Sequence, residues 1–284
     1  MYKHTLLAFT LLLLLAACKL AKAPVEPLEI AQQIFSSHPP AHLEKYFKGD
    51  FTNPPSGKDF PTGTATRSLV LQQTPATAVI AIAVITKDGK GSDIYCYFTK
   101  DSTWKIHALR GLAMTGIIEG ALQELEAMTP QQVDALIKQA ENDRLATGLP
   151  FTSREDYNFK LGNARLTLAM DDSIIHHFQV NKAAFEKIKE AALQELQGKT
   201  SDGERAVQLA TALKNDYRKL FIHNIDYGGY EPGGSCLNFA IGGMVDNSVG
   251  YLYVKDKKDL PDIDEDRVIM LREIGDGWYL YKTT

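Results

Sequence analysis

Apolar residues recur at helical spacing over residues 28–35, where Leu28, Ile30, Ala31, Ile34 and Phe35 form one stripe. His38-Pro39-Pro40 interrupts that stripe, and Leu43, Tyr46 and Phe47 resume it before a polar, Pro- and Gly-rich loop over 49–63. The period then changes to two. Residues 77–86, TAVIAIAVIT, are long and β-branched, Asp88-Gly89 offers a hairpin turn, and in residues 92–99 Ile94, Cys96 and Phe98 alternate with Tyr95 and Tyr97. Trp104, Ile106 and Ala108 alternate with Lys105 and His107, and a weaker strand signal lies at 68–72. These segments predict an antiparallel meander behind a helical opening. Helical spacing returns over 112–128 through Met114, Ile117, Ile118, Ala121, Leu122 and Leu125. Thr129-Pro130-Gln131-Gln132 then reads as a capping box, opening a helix through Val133, Leu136, Ile137 and Ala140.

The second half repeats this order. Residues 164–170 fit a strand or a short helix, and the pattern does not choose between them. Asp171-Asp172 offers an N-cap, after which Ile174, Ile175, Phe178, Phe185, Ile188, Ala192 and Leu196 predict one helix running to Gly198. Ser201-Asp202-Gly203-Glu204 reads as a further capping box, opening a helix through Val207, Leu209, Leu213, Tyr217 and Leu220. Strands are predicted at 220–226, 236–244, 249–254, 267–273 and 278–282, with Gly275-Asp276-Gly277 as a hairpin. The expected class is α+β: two domains, residues 27–148 and 153–284, each with helices packed on a curved antiparallel sheet.

The first residues have a different character. Lys3 and His4 precede an almost wholly apolar run over 5–17, the charged and greasy regions of a secretory signal peptide. That run is shorter than the ~20 apolar residues a membrane-crossing helix needs. Leu15-Ala16-Ala17-Cys18 resembles the lipobox of bacterial lipoproteins. The resemblance implies removal of residues 1–17 and lipid attachment at Cys18, with 18–26 as a lipidated tether. Lys19, where Asp is absent, is similar to the outer-membrane sorting pattern of Gram-negative lipoproteins, so the expected location is the cell envelope on either face of that membrane. More than one acyl chain would hold firmly, since each buried methylene contributes ~0.8 kcal/mol.

Composition narrows the partners. Net charge is −4, and loss of Lys3 with the leader leaves −5, which disfavours a nucleic-acid partner because phosphate-backbone binders need a basic surface. With 44% hydrophobic and 23% charged residues the chain reads as globular. Beyond Cys18 only Cys96 and Cys236 remain, and two cysteines on separate strands read as buried small hydrophobes rather than a bridge.

IYCYFTKDSTWKIHAL and VIMLREIGDGWYLYKT close the two β regions in the same way. Both resemble the last hairpin of cone-shaped α+β folds of the nuclear-transport-factor-2-like and cystatin-like groups. DDSIIHHFQVNKAAFEKIKE, NSVGYLYVK and GDGWYLYK also resemble a module of bacterial envelope lipoproteins, which implies a shared fold over residues 170–284 and an envelope address, with no particular chemistry.

The candidate chemical groups are few. His176 and His177 are adjacent on a helix and point about 100° apart, so they read as a polar face rather than a metal site. His107 would be a general base only on a concave wall, and its neighbour Lys105 argues for an exposed face. Cys236 with His223, beside GGSCLNFAIGG, is the sharpest enzymatic possibility, although no nucleophile motif frames it. Asp262, Asp264, Asp266 and Glu273 approach a calcium loop, but Arg267 stands where the turn glycine is required. Gly228-Gly229, Gly233-Gly234 and Gly242-Gly243 mark bends, and no cofactor is expected from them. With Tyr227, Tyr230, Tyr251 and Tyr253 they suggest an aromatic contact surface, or equally an ordinary β core. The functional expectation is a lipid-anchored, non-enzymatic binding module for an envelope protein, a glycan or a small ligand. The alternative is a hydrolase or isomerase with a cone-like pocket, and a third is a protective partner of a secreted toxin.

Overall fold

The computed structural model describes residues 25–142, 149–197, 206–228 and 235–284. The leader, Cys18, Gly148, the capping box at 201–204, Gly229, Tyr230 and Gly233-Gly234 lie outside the described residues. The class is α+β, with seven helices and two antiparallel sheets of four and six strands among the described residues. No helix among the described residues is long and apolar enough to cross a membrane.

The first sheet runs in sequence order through β1 (Ala65–Gln73), β2 (Thr77–Ile85), β3 (Gly91–Lys100) and β4 (Trp104–Arg110). Each strand lies next to the one before it, as the tight turns require. Helix α1 (Pro27–Ile34) covers one face, where Ile30, Ala31, Ile34 and Phe35 meet Ile80, Ile82, Cys96, Phe98, Trp104 and Ile106. A bulge corrects the simple alternation of β4. Tyr97 pairs with Ala108 and Phe98 with Ile106, so His107 is the extra residue, and Ala108 turns to the face opposite Trp104 and Ile106.

That opposite face is not exposed. Val79, Ala81, Tyr95, Tyr97 and Ala108 belong to the same buried cluster as the interior of the second half. Helices α2 (Thr115–Ala127) and α3 (Pro130–Asn142) follow, and Thr129 forms the expected box with Gln132, the two reciprocal bonds measuring 2.7 and 3.3 Å. Both pack with α4 (Arg154–Thr167) of the second half, around Leu125, Val133 and Phe151. The ambiguous segment 164–170 is therefore mostly the end of a helix, begun by Ser153, whose hydroxyl accepts the Asp156 amide at 3.1 Å.

The single helix expected after Asp171 is two, α5 (Asp171–Val180) and α6 (Lys182–Leu196). The chain turns at Asn181, whose side chain donates to the His177 carbonyl at 2.8 Å. Phe178 and Phe185, on either side, still meet Tyr251, Phe239 and Trp278 in one aromatic core. The helix expected through Val207 is also revised: Val207–Gln208 is a short edge strand, β5, and only α7 (Lys214–Lys219) is α-helical. The second sheet has the order β5, β6 (Asn224–Tyr227), β7 (Leu237–Met244), β8 (Asn247–Tyr253), β10 (Trp278–Lys282), β9 (Met270–Gly275). Its hairpin at Gly275-Asp276-Gly277 is as expected, with all three residues at positive φ.

Candidate functional site

Chemistry collects at the seam between the two sheets. On β3, Asp93 heads the stripe of Tyr95 and Tyr97 that faces the second half, and on β10, Lys282 ends the stripe of Trp278 and Leu280 that faces the helices. Asp171, at the start of α5, lies between them. The Lys282 ammonium is 2.8 Å from Asp171 and 3.5 Å from Asp93, and all three side chains are at most 5% exposed. Tyr95 donates its hydroxyl to Asp171 at 2.9 Å, and the Asp171 amide donates to Asp93 at 2.8 Å.

Two carboxyls and one ammonium leave an excess of negative charge in a dry place. Burial, and then the charge of Asp171, raise the Asp93 carboxyl to about 6 against the opposing pull of Lys282. Burial favours neutral Lys282, yet Asp171 and Asp93 outweigh it and hold the ammonium above the ordinary lysine value. Burial and the same carboxylates push the Tyr95 phenol up, so it remains a hydrogen-bond donor.

Asp93 and Lys282 of this network line a cleft of about 400 Å³ between the end of β4, the start of α2 and the end of α4; Arg110, Thr115, Glu119 and Thr167 are among its walls. A second cleft, of about 190 Å³, opens on the other side of Asp93 and Asp171, where Asp172 bridges Arg67 of β1 and Arg272 of β9. Arg110 closes the seam further along, donating to the Glu265 carbonyl at 2.6 Å.

The groups singled out from sequence lie elsewhere. Cys236 is buried, its Sγ donates to the Asp259 carbonyl at 3.3 Å, and burial followed by the Asp259 charge pushes the thiol up to about 12. His223 is exposed and bonded through its amide to Ala240, four residues along the strand from Cys236, or roughly 13 Å at ~3.3 Å per residue. Among the described residues the thiol therefore has neither an activating charge nor a base. Cys96 and Cys236 are both free and sit in different buried clusters.

His107 is partly covered and lies 3.3 Å from Glu265, on the opposite side of Tyr97 from the Asp93 network. His176 is exposed, while His177 stacks on Phe221 and meets Phe185 edge-on, with burial lowering its pKa. Two of the acidic residues are paired with cations, Glu273 with Lys257 and Asp266 with Arg110 of the first sheet, and no cluster among the described residues could hold a metal. Of the described tyrosines of the expected aromatic surface, Tyr251 is wholly buried and donates to the Ile174 carbonyl at 2.8 Å, while Tyr227 and Tyr253 are half-buried and pack against the same cluster.

Sequence reasoning missed Asp93, Asp171 and Lys282 as a group. Two signals were present: a carboxylate and a lysine, each extending an otherwise apolar strand face. No family model, no curated protein and no solved structure matches the chain.

Proposed function

We propose that the chain is a lipid-anchored protein of the cell envelope, held through Cys18, and that its folded body works as a binding module with the seam cleft as its ligand site. The observation that carries the binding assignment is the floor of that cleft: Lys282 and Asp93 line it, and Asp171, itself held by the Tyr95 hydroxyl, fixes them from behind, which gives a preorganised polar base under a cavity of small-ligand size. The uncoupled positions of Cys236 and His223 also favour binding over thiol catalysis.

Two experiments test this. Cells fed radioactive palmitate should label the protein, and Cys18→Ala should abolish both label and sedimentation with membranes; a Cys18→Ala form that still labels overturns the anchor. Small polar ligands and glycans should be screened for raised thermal stability of the mature chain. Thr115→Trp, which fills the cleft from its α2 wall, should remove the response while leaving the unliganded midpoint within a few degrees.

A second reading rests on Asp93, because a carboxyl titrating at about 6 beside a cleft is suited to general acid–base chemistry, as an isomerase or hydrolase would require. Turnover of a screened compound by the wild type, lost in Asp93→Asn with binding retained, would replace the binding assignment with that one.

A further inference from the structure

Away from the seam, a separate cleft of about 560 Å³ opens beside the first described residue of the chain. Lys45 reaches it from the 3₁₀ turn after α1, Lys100 from the end of β3 and Lys105 from β4, with Tyr46 and Trp104 supplying aromatic wall. We infer that this cleft takes the phosphate headgroup of an anionic phospholipid in the membrane that holds the anchor, an assignment that rests on the lipid-anchored reading above.

Charge supports this first. Neighbouring polar side chains are paired, Lys48 with Asp101 at 3.1 Å and the His42 ring with Glu44 at 3.2 Å. None of Lys45, Lys100 or Lys105 has a carboxylate partner among the described residues. Glu26 is the acidic residue of the lining and accepts from Gln73 at 3.5 Å, so the cleft carries a net +2 on a chain whose net charge is −4. The seam cleft differs in this respect, because its cations are already held, Lys282 by Asp171 and Asp93 and Arg110 by Asp266.

The wall chemistry fits as well. Lys100 lies over the Trp104 ring at 5.1 Å from its centroid, an arrangement that leaves its N–H groups free for an anion. Trp104 is itself buried, and its Nε1 has no acceptor among the described residues. Val25, 54% exposed, and Tyr46 offer apolar surface for the glycerol end of a lipid, and a phenol beside lysines suits the membrane–water boundary.

Position commits the ligand to the membrane. Val25 lines the cleft and lies seven positions after Cys18, which caps their distance at roughly 25 Å for a fully extended chain. An acyl anchor therefore keeps the cleft within reach of headgroups, and a basic site beside an acyl chain is the usual second contribution to membrane attachment.

The test uses the mature chain, residues 18–284, as Cys18→Ser and without lipid, so that the cleft is read apart from the anchor. It should sediment with vesicles of phosphatidylglycerol and phosphatidylcholine, and not with phosphatidylcholine alone. Each of Lys45→Gln, Lys100→Gln and Lys105→Gln should weaken partition about fivefold, and the triple variant about a hundredfold. The comparison triple Lys187→Gln, Lys214→Gln, Lys255→Gln removes the same charge outside the cleft and should stay within about twofold, with circular dichroism establishing that both triples fold. Equal losses in the two triples, or no sedimentation with phosphatidylglycerol, overturn the assignment. Saturable binding of glycerol phosphate in solution without vesicle binding assigns the cleft to a free phosphate and likewise overturns it. Because no acyl chain is present, failure here leaves the palmitate experiment untouched, and failure of that experiment leaves this one readable.

Discussion

Lys282 shows how strongly one side chain can depend on its surroundings. Its ammonium is buried between two carboxyls from separate parts of the chain, so removing it strands negative charge in the interior. Lys282→Met should cost ~3–5 kcal/mol in urea unfolding at neutral pH, and less in mild acid, where Asp93 protonates. Asp93→Asn keeps an oxygen for the Asp171 amide and leaves one lysine facing one carboxylate. The raised Asp93 value means that the folded state holds more protons than the unfolded chain between the ordinary carboxyl value of 3.8 and about 6. Its contribution is thus fully present below the lower value and is lost as pH rises through the upper one. Asp93→Asn should accordingly gain on the wild type, by on the order of 1 kcal/mol, as pH is raised across that window. A constant difference between the two proteins would contradict this. Asp226, raised to about 6 by burial against bonds from Asn238 and Asn224, has the same sign and stays unchanged in both proteins.

At the scale of elements, close approach matters more than propensity. β7 bulges between Ala240 and Gly242, and a Cβ on Gly242 would stand 2.7 Å from the Thr167 hydroxyl and 3.3 Å from the Asn163 side-chain oxygen, both on α4. The same Asn163 donates to the Phe221 and Ile241 carbonyls at 2.7 and 2.6 Å, so α4 is stitched to this part of the sheet. Gly242→Ala should therefore destabilise by ~1–3 kcal/mol in chemical denaturation through overpacking. Helix α2 makes the opposite point. Its apolar stripe is visible in the sequence, yet Ile117 is 54% exposed and Leu125 only 7%. Leu125→Ala should cost ~2–4 kcal/mol, whereas Ile117→Ala should stay within about 0.5 kcal/mol.

The whole molecule folds around an interior that both halves share. One buried cluster joins Val79, Tyr95 and Tyr97 of the first sheet to Ile174, Phe178 and Trp278 of the second half, and Tyr97 donates to the Ile269 carbonyl at 2.6 Å. Arg67, Arg110 and Arg272 add charged contacts around that seam. Unfolding should be one cooperative transition, and the chain contains its own probes: Trp104 sits under α1, and Trp278 in the aromatic core of the second sheet. Fluorescence of Trp278→Phe, which reports the first, and of Trp104→Phe, which reports the second, should show a single loss of structure in each that coincides with its circular dichroism. Two resolved steps in either protein would mean that the halves unfold independently.

What the sequence determined by itself was local. The meander of β1 to β4, the Thr129 capping box and the Gly275-Asp276-Gly277 hairpin follow from period, cap and turn chemistry that act over a few neighbouring residues. The greasy leader ending at Cys18 is equally local, and the lipid expectation rests on it. Tertiary structure decided the rest. Seven residues from Phe178 to Phe185 suit an unbroken helix as well as two helices meeting at Asn181, and only packing against Tyr251 and Trp278 selects the second. The spacing of Leu209, Leu213, Tyr217 and Leu220 is helical and invites a helix from before Val207, but pairing with β6 at the sheet edge makes Val207–Gln208 a strand. The seam site belongs to the same class: Asp93, Asp171 and Lys282 are separated by 78 and 111 positions in the chain, and nothing local joins them. They become one charged unit because folding removes water from around all three, and at that distance from solvent each must take the others as partners.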